Sequence, residues 1–83
     1  MTVQQLEHLA DGLSVFACGQ TLALDRTRVS PAGAGHDVSF VIAGMNLAPR
    51  VHLAPDQLSS STWEEISRVL RHVTARVVCG GSR

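Results

Sequence analysis

The chain has 83 residues, of which 45% are hydrophobic and 17% charged, and these values are typical of one small globular domain rather than a disordered chain. Seven arginines balance seven acidic residues and there is no lysine, so the net charge is zero. This balance argues against a general binder of nucleic acid or of anionic membranes, because such proteins carry a clear basic excess. With no apolar run near the ~20 residues of a membrane span and no signal-peptide pattern, we expect a cytoplasmic protein that does not contact membranes.

An N-terminal helix is predicted over residues 3–18. Thr2 and Gln5 have the spacing of a capping box, and apolar residues follow at spacings of three and four. These apolar residues are Val3, Leu6, Ala10, Leu13 and Ala17. In the alternative interpretation the helix ends at Asp11-Gly12 and residues 13–18 form a strand. The continuing periodicity favours the single helix, although Gly12 costs it about 1 kcal/mol relative to alanine.

Three strands are predicted over residues 21–29, 38–45 and 50–54, because the apolar period changes from 3.6 to 2 after Gln20. The segment 30–35 contains one proline and two glycines and is predicted to be the loop between the first two strands. The residues directed toward the core are Leu22, Leu24, Val38, Phe40, Ile42, Val51 and Leu53. The residues predicted on the opposite, outer face are Ala23, Asp25, Thr27, Ser39, Val41, Ala43, Met45, Arg50 and His52.

A C-terminal helix is predicted over residues 60–78. Either Thr62 with Glu65 or Ser61 with Glu64 can form its capping box. Gly80 or Gly81 can supply a left-handed residue that ends it. The apolar stripe predicted to pack on the sheet consists of Trp63, Ile66, Leu70, Val73 and Val77.

The element order α-β-β-β-α predicts an α+β fold in which residues 1–83 form one domain. We expect a two-layer sandwich, with a three-stranded antiparallel meander covered on one face by two helices. The two helices would then be parallel, which makes Cys18 and Cys79 potential neighbours at one end of the domain. A bond between them would close a loop of about 60 residues, but two reduced thiols in a cytosolic protein are the simpler interpretation.

No motif predicts catalysis, a cofactor or a metal. Six side chains have metal-binding chemistry, but they are single and widely separated, with no Cys-x-x-Cys or His-x-x-x-His spacing. They are His8, Cys18, His36, His52, His72 and Cys79. The glycines at 33 and 35 lie between strands, whereas a phosphate-binding loop precedes a helix. The sequence therefore predicts a protein that is not an enzyme, with no catalytic residue, cofactor or metal.

The outer sheet face is the first candidate site for a partner. Val41 and Ala43 would form its small apolar centre, with Arg50 and His52 at a polar rim, as in many protein-binding faces. The leading hypothesis is therefore a protein-binding module, either an inhibitor, an adaptor or a dimerisation unit. Its partner would be a larger protein or a second copy of the chain. Small chains of this kind are often encoded by phages or mobile elements, where they act against host or defence machinery.

The polar side of the C-terminal helix is the second candidate site. It carries Arg68, Arg71, His72 and Arg76, which could lie along phosphates, so the alternative function is a nucleic-acid-associated regulator. Glu64 is four residues before Arg68 and can pair with it, which favours a solvated, ion-paired surface over a nucleic-acid interface.

Overall fold

A computed structural model describes residues 1–80 and shows an α+β fold with helices packed on one face of a four-stranded antiparallel sheet. The elements are α1 (Val3–Ala10), β1 (Ser14–Ala17), β2 (Gln20–Ala32), β3 (Gly35–Ile42), β4 (Arg50–Leu53), α2 (Gln57–Ser60) and α3 (Trp63–Cys79). The strands lie side by side in chain order, so the sheet is a meander. The predicted class and the meander under helices are confirmed, with β1 and the short α2 as additional elements.

Residues 14–17 form strand β1 of the sheet, so the helix prediction over 3–18 was wrong in its second half. Helix α1 ends at Ala10, and Gly12 then adopts a φ of +82°, a left-handed conformation that glycine adopts without steric cost. The Gly12 N–H donates to the carbonyl of Leu24 at 2.8 Å, which leads the chain directly into strand pairing. The stretch Leu13–Ala17 fits period 2 as well as a helical period, and only the pairing with β2 decides between them.

A two-residue turn, Cys18-Gly19, joins β1 to β2, because Ala17 is the partner of Gln20. Both turn residues have positive φ, 53° and 76°, as a type I′ hairpin turn requires. Glycine at the second position accommodates this turn, and Cys18 is carried to the tip of the hairpin.

The loop predicted over residues 30–35 is mostly strand. Strand β2 continues to Ala32 and β3 begins at Gly35, so that only Gly33-Ala34 forms the turn. Pro31 is tolerated because of its position: the N–H groups of Thr27 and Val29 point away from β3, and by strand alternation the proline nitrogen points the same way. The absence of an N–H group on Pro31 therefore removes no hydrogen bond between β2 and β3.

A β-bulge in β2 reverses which side chains face the core. Asp25 is the partner of Val41 and Arg28 the partner of Ser39, so β2 has one extra residue between these pairs. Arg26, within the bulge, has a φ of 53°. Even-numbered β2 residues face inward before the bulge and odd-numbered ones after it. Thr27, predicted on the outer face, is consequently only 1% exposed.

The core lies between the sheet and the helices. Its fully or almost fully buried apolar residues are Leu6, Ala10, Val15, Ala17, Leu22, Leu24, Val38, Phe40, Ile42, Val51, Leu53, Leu58, Ile66 and Leu70. All seven strand residues that the sequence analysis directed inward are among them. Apolar burial of this kind stabilises a domain by about 25 cal/mol per Å² removed from water.

Helix α3 begins later than predicted, with Thr62 as its N-cap and a complete Thr62–Glu65 capping box. Gly80 is the C-cap in a right-handed conformation, with a φ of −89°, so it does not supply the predicted left-handed residue, and Gly81, the other candidate, lies outside the described residues. Of the predicted stripe, Ile66 and Leu70 are buried, whereas Val73 and Val77 are half-buried.

Two carboxylates of the α1 segment cover the open edge of β2 beyond the end of β1. Glu7 Oε2 accepts the Val29 N–H at 2.8 Å, and Asp11 Oδ1 accepts the Thr27 N–H at 3.0 Å. These donors would otherwise be unpaired at a sheet edge. The pair of hydrogen bonds fixes α1 against the second half of β2.

The tip of the β1–β2 hairpin is linked to the end of α3 by a Cys18–Cys79 disulfide, with a Cα–Cα distance of 5.7 Å and a sequence separation of 61. The interpretation of two reduced thiols was therefore wrong. The two cysteines meet because β1 ends in a tight turn beneath the C-terminal end of α3, and not because two parallel helices end together. Within residues 1–80, no helix is long and apolar enough to cross a membrane.

Candidate functional site: the outer sheet face

The outer face of the sheet is the side that the helices leave uncovered. Strand register places its residues in rows that run across the strands. From one end to the other, the rows are Phe16 and Thr21; Ser14 and Ala23; Asp25 and Val41; Arg28, Ser39 and Arg50; and Ser30, Asp37 and His52. Ala43 lies beside Ala23, to whose carbonyl its N–H donates at 2.9 Å.

One end of this face carries a large exposed aromatic side chain among short ones. Because Val15 and Ala17 point into the core, Phe16 between them points outward, and it is 74% exposed. Thr21 opposite Phe16 is exposed and Ala23, one row further along β2, is half-buried, so short side chains occupy the area next to the phenyl ring. A large exposed aromatic beside small residues lets a second surface approach the sheet closely.

The middle of the face carries a row of basic side chains. Arg28 on β2 and Arg50 on β4 flank Ser39 on β3, so their strands are about 10 Å apart, two inter-strand spacings. Both arginines are exposed, and neither forms an ion pair with any residue in the described part of the chain. We call Arg28, Ser39 and Arg50 the arginine row.

The two acids of this face have other partners. Asp25 Oδ1 accepts the backbone N–H of Arg26 at 2.8 Å, within the bulge. Asp37 Oδ1 lies 2.9 Å from Nδ1 of His52, which is itself 58% exposed. Neither carboxylate therefore neutralises the arginine row directly.

The structure brings together the four sheet residues named from the sequence. Val41, Ala43, Arg50 and His52 all lie on the outer face, with Val41 half-buried and the other three exposed. Sequence analysis missed Phe16, which was assigned to a helix, and it placed Arg28 at a strand end or on the outer face without naming it as a site residue. The alternation of Leu13, Val15 and Ala17 is the signal that could have placed Phe16 outward.

The predicted helix residues form a separate surface. Arg68, Arg71, His72 and Arg76 are all exposed on α3. Because Ile66 and Leu70 pack toward the inner side of the sheet, these side chains lie on the side of the molecule opposite the outer face. The Glu64–Arg68 ion pair is not formed.

One open cavity of about 340 Å³ lies on the flank of α3, lined by Val73, Arg76 and Val77. Across residues 1–80, no three His, Cys, Asp or Glu side chains are grouped as metal ligands. Neither feature assembles a reactive centre among the described residues.

Comparisons with protein-family models, with curated proteins and with solved structures find no match to this chain. A functional assignment therefore has to be argued from the surfaces described above.

Proposed function

We propose that this protein is a non-enzymatic protein-binding module that presents its outer sheet face to a larger protein, as an inhibitor, an adaptor or a dimerisation unit. The observation that carries the proposal is the 74% exposure of Phe16. Leaving a phenyl ring in water forgoes about 1.5–3 kcal/mol of burial free energy, which contact with a partner would recover.

The surroundings of Phe16 support this assignment. Ala23, Ala43 and Val41 form an apolar strip of short side chains that runs from beside Phe16 toward the arginine row, and the arginine row provides a polar border. Interfaces commonly combine an aromatic anchor, a small apolar centre and a rim enriched in arginine. The outer face contains all three on one side of a rigid sheet.

The proposal is tested by affinity capture from lysate of the native host, followed by mass spectrometry. Three baits are compared: the unchanged protein, Phe16→Ser and, as a matched control, Leu9→Ser. Leu9 is the other exposed large hydrophobic residue among those described, at 42%, and it lies on α1 in the helix layer. We expect one stoichiometric partner that is retained by Leu9→Ser and lost by Phe16→Ser.

Val41→Glu provides a second test, because it places a charge in the apolar centre without changing Phe16. A partner complex that survives both Phe16→Ser and Val41→Glu would refute the sheet-face proposal. Light scattering on the same proteins distinguishes the dimerisation unit, for which Phe16→Ser converts a dimer to a monomer.

A second candidate function, a nucleic-acid-associated regulator, is favoured by the exposure of Arg68, Arg71 and Arg76. None of these guanidinium groups pairs with an acid within residues 1–80. This function predicts binding to nucleic acid that weakens steeply with salt, and a shallower salt dependence in Arg68→Ala and Arg71→Ala. Binding that is insensitive to salt would exclude it.

A cytoplasmic location remains our proposal from the sequence, and the Cys18–Cys79 bond is the observation that bears against it. Disulfides are rare in reducing compartments, where thiols stay reduced. Alkylation of free thiols in intact cells decides the question. Two modified cysteines are expected in the cytoplasm, and none if the protein is held in an oxidising compartment.

A further inference from the structure

The arginine row is the part of the outer face that the apolar contacts of the proposed function do not explain. Arg28 and Arg50 direct two cationic side chains to the same side of the sheet, with the hydroxyl of Ser39 between them. Because β3 separates their strands, the two guanidinium groups are not directly opposite each other, but both belong to one row of this face. No carboxylate of the described chain pairs with either of them, since Asp25 and Asp37 have other partners.

We infer that the arginine row binds a carboxylate side chain from an acidic segment of a partner protein. This inference rests on the proposed function and names the partner chemistry for it. A guanidinium group presents a fork of N–H donors that matches a carboxylate, and the serine hydroxyl adds a further donor between the two forks. Side chains as long as arginine reach a common point from strands about 10 Å apart.

The neighbouring rows favour one discrete acid over a polyanion. Asp25 lies on the side of the row toward Phe16, and Asp37 lies on the side toward the β2–β3 turn. A nucleic-acid strand crossing these rows would bring phosphates close to both carboxylates. The basic area is therefore one row wide, and it suits a short acidic segment that crosses the strands. The zero net charge of the chain supplies no long-range attraction for polyanions either.

The test is an NMR titration of the ¹⁵N-labelled full chain with a capped triglutamate peptide. We expect shifts of the Arg28, Ser39 and Arg50 amides, and binding about tenfold weaker in the double variant Arg28→Gln/Arg50→Gln. The matched control is Arg68→Gln/Arg71→Gln, which changes the net charge equally but on α3. We expect the control to bind the peptide as the unchanged protein does.

Three outcomes would overturn the inference. Equal weakening in both double variants would show an effect of net charge alone. Oligothymidylate binding more tightly than the peptide, with shifts at Phe16, would identify a nucleic-acid platform instead. If the peptide does not bind but capture of a partner still depends on Phe16, the inference of an acidic segment is refuted and the proposed function stands. Capture that does not depend on Phe16 would refute the proposed function without affecting the peptide result.

Discussion

Thr27 is buried on the inner side of the sheet, and its hydroxyl oxygen has no hydrogen-bond partner among residues 1–80. A buried polar group without a partner costs about 1–3 kcal/mol. Valine has nearly the same shape and the same branching at Cβ, so it keeps the strand preference while removing the hydroxyl. We predict that Thr27→Val raises the free energy of unfolding by about 1 kcal/mol, measured by urea denaturation.

Thr74 provides the matched control for this prediction. It is equally buried, but its Oγ1 donates to the carbonyl of Leu70 at 2.8 Å. Thr74→Val removes a bond that is made, so we expect a loss of about 0.5–1.5 kcal/mol. A loss of similar size in Thr27→Val would mean that its hydroxyl is hydrogen-bonded in solution.

At the scale of elements, α1 acts as a cover for the open edge of β2. Glu7 and Asp11 accept the N–H groups of Val29 and Thr27, and both bonds involve a charged acceptor. Bonds of this kind contribute about 1.5–3 kcal/mol. We predict that Glu7→Ala lowers the free energy of unfolding by about 1.5 kcal/mol and speeds hydrogen exchange at the Val29 amide.

Gln4→Ala is the control, because Gln4 is an exposed α1 residue whose side chain makes no hydrogen bond within the described structure. It should change stability by less than about 0.5 kcal/mol and leave the Val29 amide unchanged. Equal effects of Gln4→Ala and Glu7→Ala would assign the loss to the helix itself rather than to the covered edge.

At the scale of the whole molecule, the Cys18–Cys79 disulfide links the hairpin tip to the last residue of α3 across 61 positions. In the loop-closure model a link of this length stabilises a protein by about 4 kcal/mol, a large share of the ~5–15 kcal/mol expected for a domain. We predict that Cys18→Ser/Cys79→Ser lowers the midpoint of thermal unfolding strongly and abolishes its response to reductant.

The unchanged protein serves as the reference for that measurement. Its unfolding midpoint should fall in reductant to the value of the double variant. If reductant leaves the midpoint of the unchanged protein where it was, the two thiols are not bonded in solution.

The burial of apolar residues that recur with period 2 or 3.6 could be predicted directly from the sequence. Val38, Phe40 and Ile42 recur at every second position of β3, and Ile66 and Leu70 recur on one side of α3, so their burial was predictable. Thr2 and Thr62 cap their helices as the spacing to Gln5 and Glu65 indicated. These features are local, and each depends on contacts within a few positions of the chain.

The candidate site was predictable only in part. Val41, Ala43, Arg50 and His52 were placed on the outer face because strand alternation alone fixes their side. Phe16 was missed because residues 13–18 fit two periods. Arg28 was expected at a strand end or on the outer face but was not named as a site residue, because only the bulge in β2 sets it in one row with Ser39 and Arg50.

By itself, the sequence determined the α+β class, the inward residues of β3 and β4, and the capped C-terminal helix, because these follow from hydrophobic period and local hydrogen bonding. The tertiary structure alone decided that residues 14–17 pair with β2, that the bulge buries Thr27, and that Cys18 meets Cys79. These three outcomes depend on which distant segments pair. Phe16 and the arginine row occupy one face for the same reason, since strand register brings them together from all four strands.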